Sequence, residues 1–230
     1  MSECIIDMGV LENTVRIDLN VRAPRGMSVL DPLKIVLTNF PEGETEWLEA
    51  AVHPQNPDMG TRKVPISREI WVEQGDFMEE PPRKFFRLRP GGEVRLRNAF
   101  IIRCDEVIKD QDGKVTELRC SFDPESRSGM PGASRRVKGT IHWVSARHGI
   151  KAEVRLYDRL FNVANPLADK DRDFLEFINP DYLRIVDEAV IEPSIAEGGP
   201  GDFYQFERTG NFTHEERSGE TGRPVLNRTV

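Results

Sequence analysis

Apolar and polar residues alternate with a period of two along most of this chain, in short runs closed by Gly, Pro, Asn or Asp. Residues 33–39, 69–72, 115–122, 151–161, 182–191 and 203–208 each read as a strand on that ground. In 151–161, for example, Ala152, Val154 and Leu156 alternate with Glu153, Arg155 and Tyr157, as a strand with one wet face requires. Residues 27–30, 136–145 and 224–230 are further extended runs, and Asp112-Gly113 supplies a tight turn. The N-terminal stretch departs from this pattern. Leu11, Val15 and Leu19 recur every fourth residue and predict a helix capped by Asp7, running to about Val21 and stopped by Pro24. Residues 74–80 predict one helical turn, and 169–178 a short helix closed by Asn179-Pro180.

One stretch carries unusual charge. Residues 83–98 read as two strands joined at Pro90-Gly91-Gly92, the second running on through Ala99 and Arg103 towards Ile108. Arg87 and Arg89 share one face, as do Arg95 and Arg97, while Phe86, Leu88, Val94 and Leu96 take the core side. A three-residue loop pairs Arg89 with Glu93 and sets Arg87 across from Arg95. Like charges placed opposite each other cost roughly a few tenths of a kcal/mol or more, so such a ribbon is arranged for an anion. The contrast with the whole is sharp. The protein carries a net charge of −7, yet residues 83–103 hold seven cations against Glu93 alone, a local net charge of +6. Segregated charge of this kind marks a polyanion surface.

The sixteen prolines, eighteen glycines and many short strands among 230 residues favour an all-β class with two barrels or sandwiches. No apolar run reaches the roughly 20 residues that span a bilayer, and no signal-peptide pattern opens the chain, so a soluble, cytoplasmic protein is expected. Cys4, Cys104 and Cys120 are odd in number, form no Cys-x-x-Cys pair, and read as reduced thiols. Catalytic and metal chemistry is hard to find. His53, His142, His148 and His214 are scattered without companions at ligand spacing. Asp169, Asp171 and Asp173 resemble the start of a calcium loop, but its glycine and final glutamate are missing, with Pro180 in the last place. They read better as charges at a helix N-terminus. Phosphate-loop, dinucleotide and Gly-x-Ser-x-Gly motifs are absent.

Longer runs carry a resemblance. Ala23-Pro24-Arg25, the loop 53–62, Lys63-Val64-Pro65, Arg68-Glu69-Ile70-Trp71, the stretch 85–98, the runs 137–145 and 154–161, Gln205-Phe206-Glu207-Arg208 and Asn227-Arg228-Thr229-Val230 follow one another. In that order they resemble the C-terminal anticodon-binding region of bacterial glutaminyl-tRNA synthetases. The resemblance implies two β-barrels, related in fold to the ribosomal protein that binds 5S RNA. It places a helical lead-in at 1–22, a first barrel at 23–125 and a second at 135–230, with strand exchange between barrels left open; the run 123–134 reads from its own composition as the linker. It also implies tRNA(Gln) and a separate class I catalytic domain as partners, in a monomeric enzyme. ATP and Mg would belong to that domain, whose two signatures are not found here (His148-Gly149-Ile150 is neither), leaving this chain without a cofactor. On this reading the chain starts in the connecting helix and ends short of the family's usual terminus.

Carried over position by position, Arg25, Gln205 and Arg208 match residues that hold the middle anticodon base, a uridine. Arg95 and Arg97 match residues at the first base and Arg87 one at the third, with Gln55 and Arg228 near further loop contacts. Lys84 is included where the family can have glutamine; Phe86 stands where it can have lysine, and Asn211 replaces a usual tyrosine. The chemistry suits such roles, since unpaired bases are read by stacking and by their Watson–Crick edges. Arginine offers a planar fork and glutamine both donor and acceptor. Three alternatives remain open at this point: the archaeal/eukaryotic-type glutamyl-tRNA synthetase, a free-standing RNA-binding barrel protein, and a scaffold module whose basic stretch binds an acidic partner. Trp71 and Trp143 are expected in the core.

Overall fold

The computed structural model describes residues 8–127, 130–216 and 222–230. Helix α1 (Met8–Arg22) ends where Pro24 removes the next backbone donor, after the Ala23 N–H has bonded the Leu19 carbonyl at 2.8 Å. Of the expected stripe only Leu19 is buried; Val15 is half-buried and Leu11 exposed. The Asp7 cap and Cys4 lie outside the described residues.

Sixteen strands follow among the described residues. The first nine are β1 (Arg25–Gly26), β2 (Ser28–Val29), β3 (Pro32–Leu37), β4 (Thr45–Ala51), β5 (Thr61–Ser67), β6 (Glu69–Glu73), β7 (Glu93–Leu96), β8 (Ile101–Lys109) and β9 (Val115–Asp123). The rest are β10 (Thr140–Ile141), β11 (Val144–Ser145), β12 (Ile150–Tyr157), β13 (Leu183–Ile191), β14 (Phe203–Phe206), β15 (Gly210–His214) and β16 (Val225–Arg228). One sheet has the order β10-β7-β8-β9-β3-β6-β11, a second β1-β14-β15-β16-β12-β13-β2, and β4 and β5 form a separate ribbon. The fold is all-β with two barrels.

The order of the strands shows how each barrel closes. The two outer strands of the first sheet, β10 and β11, are separated only by His142-Trp143, so the edges of that sheet must meet. The second sheet repeats the device: its outer strands β1 and β2 flank Met27 alone. Closure leaves no long edge open to a stray strand. Each closing segment comes from the other half of the chain, so residues 25–29 complete the later barrel and 140–145 the earlier one. The single strand expected over 136–145 is therefore two short ones. The chain turns at His142-Trp143 to reach opposite edges, pairing in parallel with β7 (Thr140↔Arg95) and antiparallel with β6 (Val144↔Trp71). Trp143 and Met27 both drop fully buried into the first core, beside Leu33, Ile35 and Leu96. The second core centres on Phe206 and Phe212, stacked at 4.2 Å. Cys104 and Cys120 are free thiols, buried and directly opposed on β8 and β9.

The basic stretch differs from the hairpin its alternation predicts. Of the 83–89 limb only Leu88 makes a bridge, parallel to Phe77, and Phe86 is 53% exposed rather than core-facing. Leu88, Val94 and Leu96 are buried as expected. Strand β7 turns instead at Arg97-Asn98 and pairs with β8, so Arg95 lies opposite Ile101 and Glu93 opposite Arg103. The return strand is the run expected to continue straight on. The turn needs one left-handed residue, and Asn98, with φ of 59°, is a type that tolerates it. The helix expected over 169–178 shrinks to one 3₁₀ turn, Phe174–Phe177, where Asp173 and Glu176 form a capping box.

Candidate nucleic-acid interface

With the single Leu88–Phe77 bridge as its strand pairing, the 83–89 limb stands away from β7, and the backbone of 136–139 runs beside it. The Arg95 N–H bonds the Gly139 carbonyl at 2.9 Å, which sets the spacing. Gly139 permits it, since a Cβ there would sit 2.1 Å from the Phe86 carbonyl oxygen. Between the two segments lies a groove of about 580 Å³. Arg83, Arg87, Arg89, Arg136 and Lys138 line it, with Phe85 and Phe86. Arg83, Arg89, Arg136 and Lys138 are exposed, and none has a carboxylate partner among the described residues; Lys84, just outside, is the same. Lys138 lies over the Phe86 ring at 5.7 Å. Glu93 is the one acidic residue in the wall, and Arg135 neutralises it at 2.6 Å. Cations beside exposed aromatic faces suit a backbone of phosphates with unstacked bases. Arg136 and Lys138 do not stand out in the sequence as site residues because their charge lies more than 30 residues past the basic stretch it joins.

The remaining expected site residues fall into separate groups. Strand pairing puts Arg25 directly beside Gln205. The Arg25 guanidinium bonds the Asn20 and Ala23 carbonyls at 3.1 and 3.3 Å, and burial lowers its pKa against the opposing pull of Glu207. Glu207 also holds Arg97 at 3.2 Å. In this cluster Gln205 Oε1 and Arg97 Nε are buried without a hydrogen-bond partner, an acceptor and a donor left unsatisfied. Gln55 is exposed on the neighbouring loop, its N–H bonded to His53 Nδ1 at 3.2 Å. Arg87 and Arg208 share Asp76. Arg95 turns away from solvent, donating to the carbonyls of Ser126 (2.7 Å) and Arg135 (2.9 Å), and so braces the 124–135 connection. Arg228 lines a different cleft beside α1 and bonds the Tyr157 carbonyl.

Comparison with known proteins places this geometry. Residues 23–123 match one family and 140–215 another, both described as tRNA synthetases class I (E and Q), anti-codon binding domain. The chain is 52% identical over 227 residues to the glutamine–tRNA ligase of Xanthomonas axonopodis pv. citri, which spans 98% of this chain and 39% of that protein. It is 50% identical over 230 residues to that of Pseudomonas syringae pv. tomato, covering 100% of this chain and 40% of the relative. The chain belongs to the anticodon-binding family of class I (E and Q) tRNA synthetases. It spans about two fifths of the length of the curated relatives it matches.

In this anticodon-binding chain the two barrels meet through a polar network. Glu73 accepts the Leu30 and Asp31 N–H groups at 2.8 and 2.9 Å and the His142 Nε2–H at 3.3 Å. Arg208 Nη1 lies 3.4 Å from His142 Nδ1, so the ring links Arg208 to Glu73. Burial acts to raise the Glu73 pKa, but the His142 bond and the two backbone donors outweigh it and leave the carboxyl below its ordinary value. A carboxyl lowered on folding stabilises fully above its unfolded pKa of about 4.3 and loses that contribution as the pH falls through the folded value. Glu73→Gln is thus expected to cost about 1–2 kcal/mol near neutral pH. The gap from the parent protein should narrow below about pH 4. Urea unfolding from pH 7 to pH 3 checks this, and a gap that widens on acidification refutes it.

Proposed function

We propose that this chain binds the anticodon loop of tRNA(Gln) as the anticodon-reading part of a glutamine–tRNA ligase. A catalytic part beyond these residues would supply the ATP- and Mg-dependent attachment of glutamine. The enzyme is read as a cytoplasmic monomer, and no described helix is long and apolar enough to cross a membrane. The observation that carries the reading is the groove with its unpaired cations. Apart from the groove, Gln205 carries a buried acceptor without a partner, which would meet the N3–H of a uridine once the side chain turns out, with Arg25 and Arg208 on the same middle base. Arg97 is assigned to the first base and Arg87 to the third, with Lys84, Gln55 and Arg228 as contacts to the loop backbone. Arg95 is assigned to the first-base region through the loop it braces. The relatives compared are glutamine–tRNA ligases, which favours the glutamine enzyme over the glutamate one.

Titrating the chain with the tRNA(Gln) anticodon stem-loop tests the proposal. Affinity should fall with salt at a log–log slope of roughly −0.7 per neutralised phosphate. The double reversal Arg136→Glu/Lys138→Glu should weaken binding at least about tenfold and flatten that slope. Unchanged affinity in the double variant, or no binding by the parent chain at moderate salt, overturns the reading.

A further inference from the structure

Asp76 stands outside every residue assigned so far, yet it joins two of them. It closes the 3₁₀ turn Gln74–Asp76 and is 1% exposed. Its two oxygens accept a fork from Arg208, Oδ1 from Nη2 and Oδ2 from Nη1, both at 2.7 Å. Oδ1 also lies 3.2 Å from Arg87 Nε. Arg87 belongs to the limb lining the groove, whereas Arg208 lies in the turn after β14 in the other barrel. The backbone strengthens the arrangement: the Gly75 carbonyl accepts Arg87 Nη1 at 2.9 Å, and the Asp76 carbonyl accepts the Leu88 N–H at 3.0 Å. Arg208 also holds a left-handed backbone, φ 68°, a conformation a non-glycine residue keeps only where its surroundings enforce it.

We propose that Asp76 is a positioning residue coupling the reading of the middle and third anticodon bases across the two barrels; this rests on the anticodon reading above. Two guanidinium groups converging on one site repel and turn apart unless a carboxylate lies between them. Asp76 supplies that charge from a buried position, where the fork geometry is tightly set. Both arginines remain part-exposed, at 46% and 32% of their side chains, so each keeps donors free for a base. Arg97 is held instead by Glu207 at 3.2 Å. Asp76 itself makes no contact with the first-base arginine, so its loss should spare that position.

The test is Asp76→Asn, which preserves volume and removes the charge. Stem-loops carrying each base at the first, middle and third anticodon positions are titrated against parent and variant, with thermal unfolding alongside. Discrimination should fall at least tenfold at both the middle and third positions and stay unchanged at the first. Affinity for mismatched loops should hold or rise, since a negative charge has left a basic surface. A uniform loss at all three positions, or a loss at only one, makes Asp76 structural and overturns the coupling. Arg208→Lys keeps the charge but not the fork, and decides the matter alone if Asp76→Asn does not fold. It should lower third-base discrimination although Arg87 is intact, and unchanged third-base discrimination sinks the proposal. If the parent chain binds no stem-loop at all, the anticodon reading fails, and the coupling with it. If the parent discriminates and Asp76→Asn discriminates equally well, the coupling alone fails.

Discussion

Trp143→Ala is expected to lower the free energy of unfolding by about 3–5 kcal/mol, seen as a drop in urea midpoint at an unchanged slope. The side chain is fully buried, in the short link between β10 and β11 that closes the first barrel. Removing it opens a large cavity where the two edges of the sheet meet, and neighbours held by strand pairing on both sides can collapse little into it. The indole N–H also donates to the Arg97 carbonyl at 2.9 Å. That carbonyl sits at the β7–β8 turn, so the same tryptophan steadies the backbone of a proposed base-reading residue. Trp143→Phe separates the two contributions. It keeps much of the buried area and gives up the hydrogen bond, for about 1–2 kcal/mol. A cost below about 1 kcal/mol for the alanine variant would mean that the 140–145 segment does not close the barrel.

The long strands were readable from their apolar runs: β3, β9 and β12 alternate in burial, and β13 falls where it is expected although Ala189, Val190 and Ile191 are all buried. The closing segments were readable only in part. β2 falls in the expected run 27–30 and β10 and β11 in 136–145, but two-residue strands are too short to show a period, so β1, the break at His142-Trp143 and the partners far along the chain do not show in the sequence. Both ribbon strands, β4 and β5, and the strand β15 carry no such signal either. The basic stretch was misread for a local reason. The turn at Pro90-Gly91 exists, with Gly91 at φ 66°, but it leads into β7 from a limb bridged only at Leu88, and the real hairpin turns on Asn98. The cations of the candidate site were likewise visible as charge. Their partners were not: Asp76 lies 132 residues from Arg208, and Glu207 lies 110 from Arg97. Sequence shows which side chains carry charge, but only the fold decides which are held and which stay open.

Glu192→Ala should prove comparably damaging, at about 3–5 kcal/mol, for an electrostatic reason. Arg62 on β5 and Glu192, just after β13, are 8% and 2% exposed. Arg62 Nε donates to Glu192 Oε1 at 2.5 Å and Nη2 to Oε2 at 3.5 Å. Ser194 Oγ completes the carboxylate at 2.6 Å, and the Ala51 carbonyl takes Arg62 Nη1 at 2.5 Å. Removing the carboxylate strands a guanidinium out of reach of water, and that desolvation dominates the cost. Replacing both partners, as Arg62→Met/Glu192→Met, should therefore cost much less than Glu192→Ala alone, because no charge is left behind. A double variant as unstable as the single would place the energy in packing instead. The ribbon β4–β5 pairs with neither barrel sheet; Leu48, Ala50, Val64 and Ile66 pack it into the first core, and this buried pair ties it to the second barrel. Loss of the pair should accordingly free the ribbon first, with amide protons of 45–51 and 61–67 exchanging faster than those of β8 and β9.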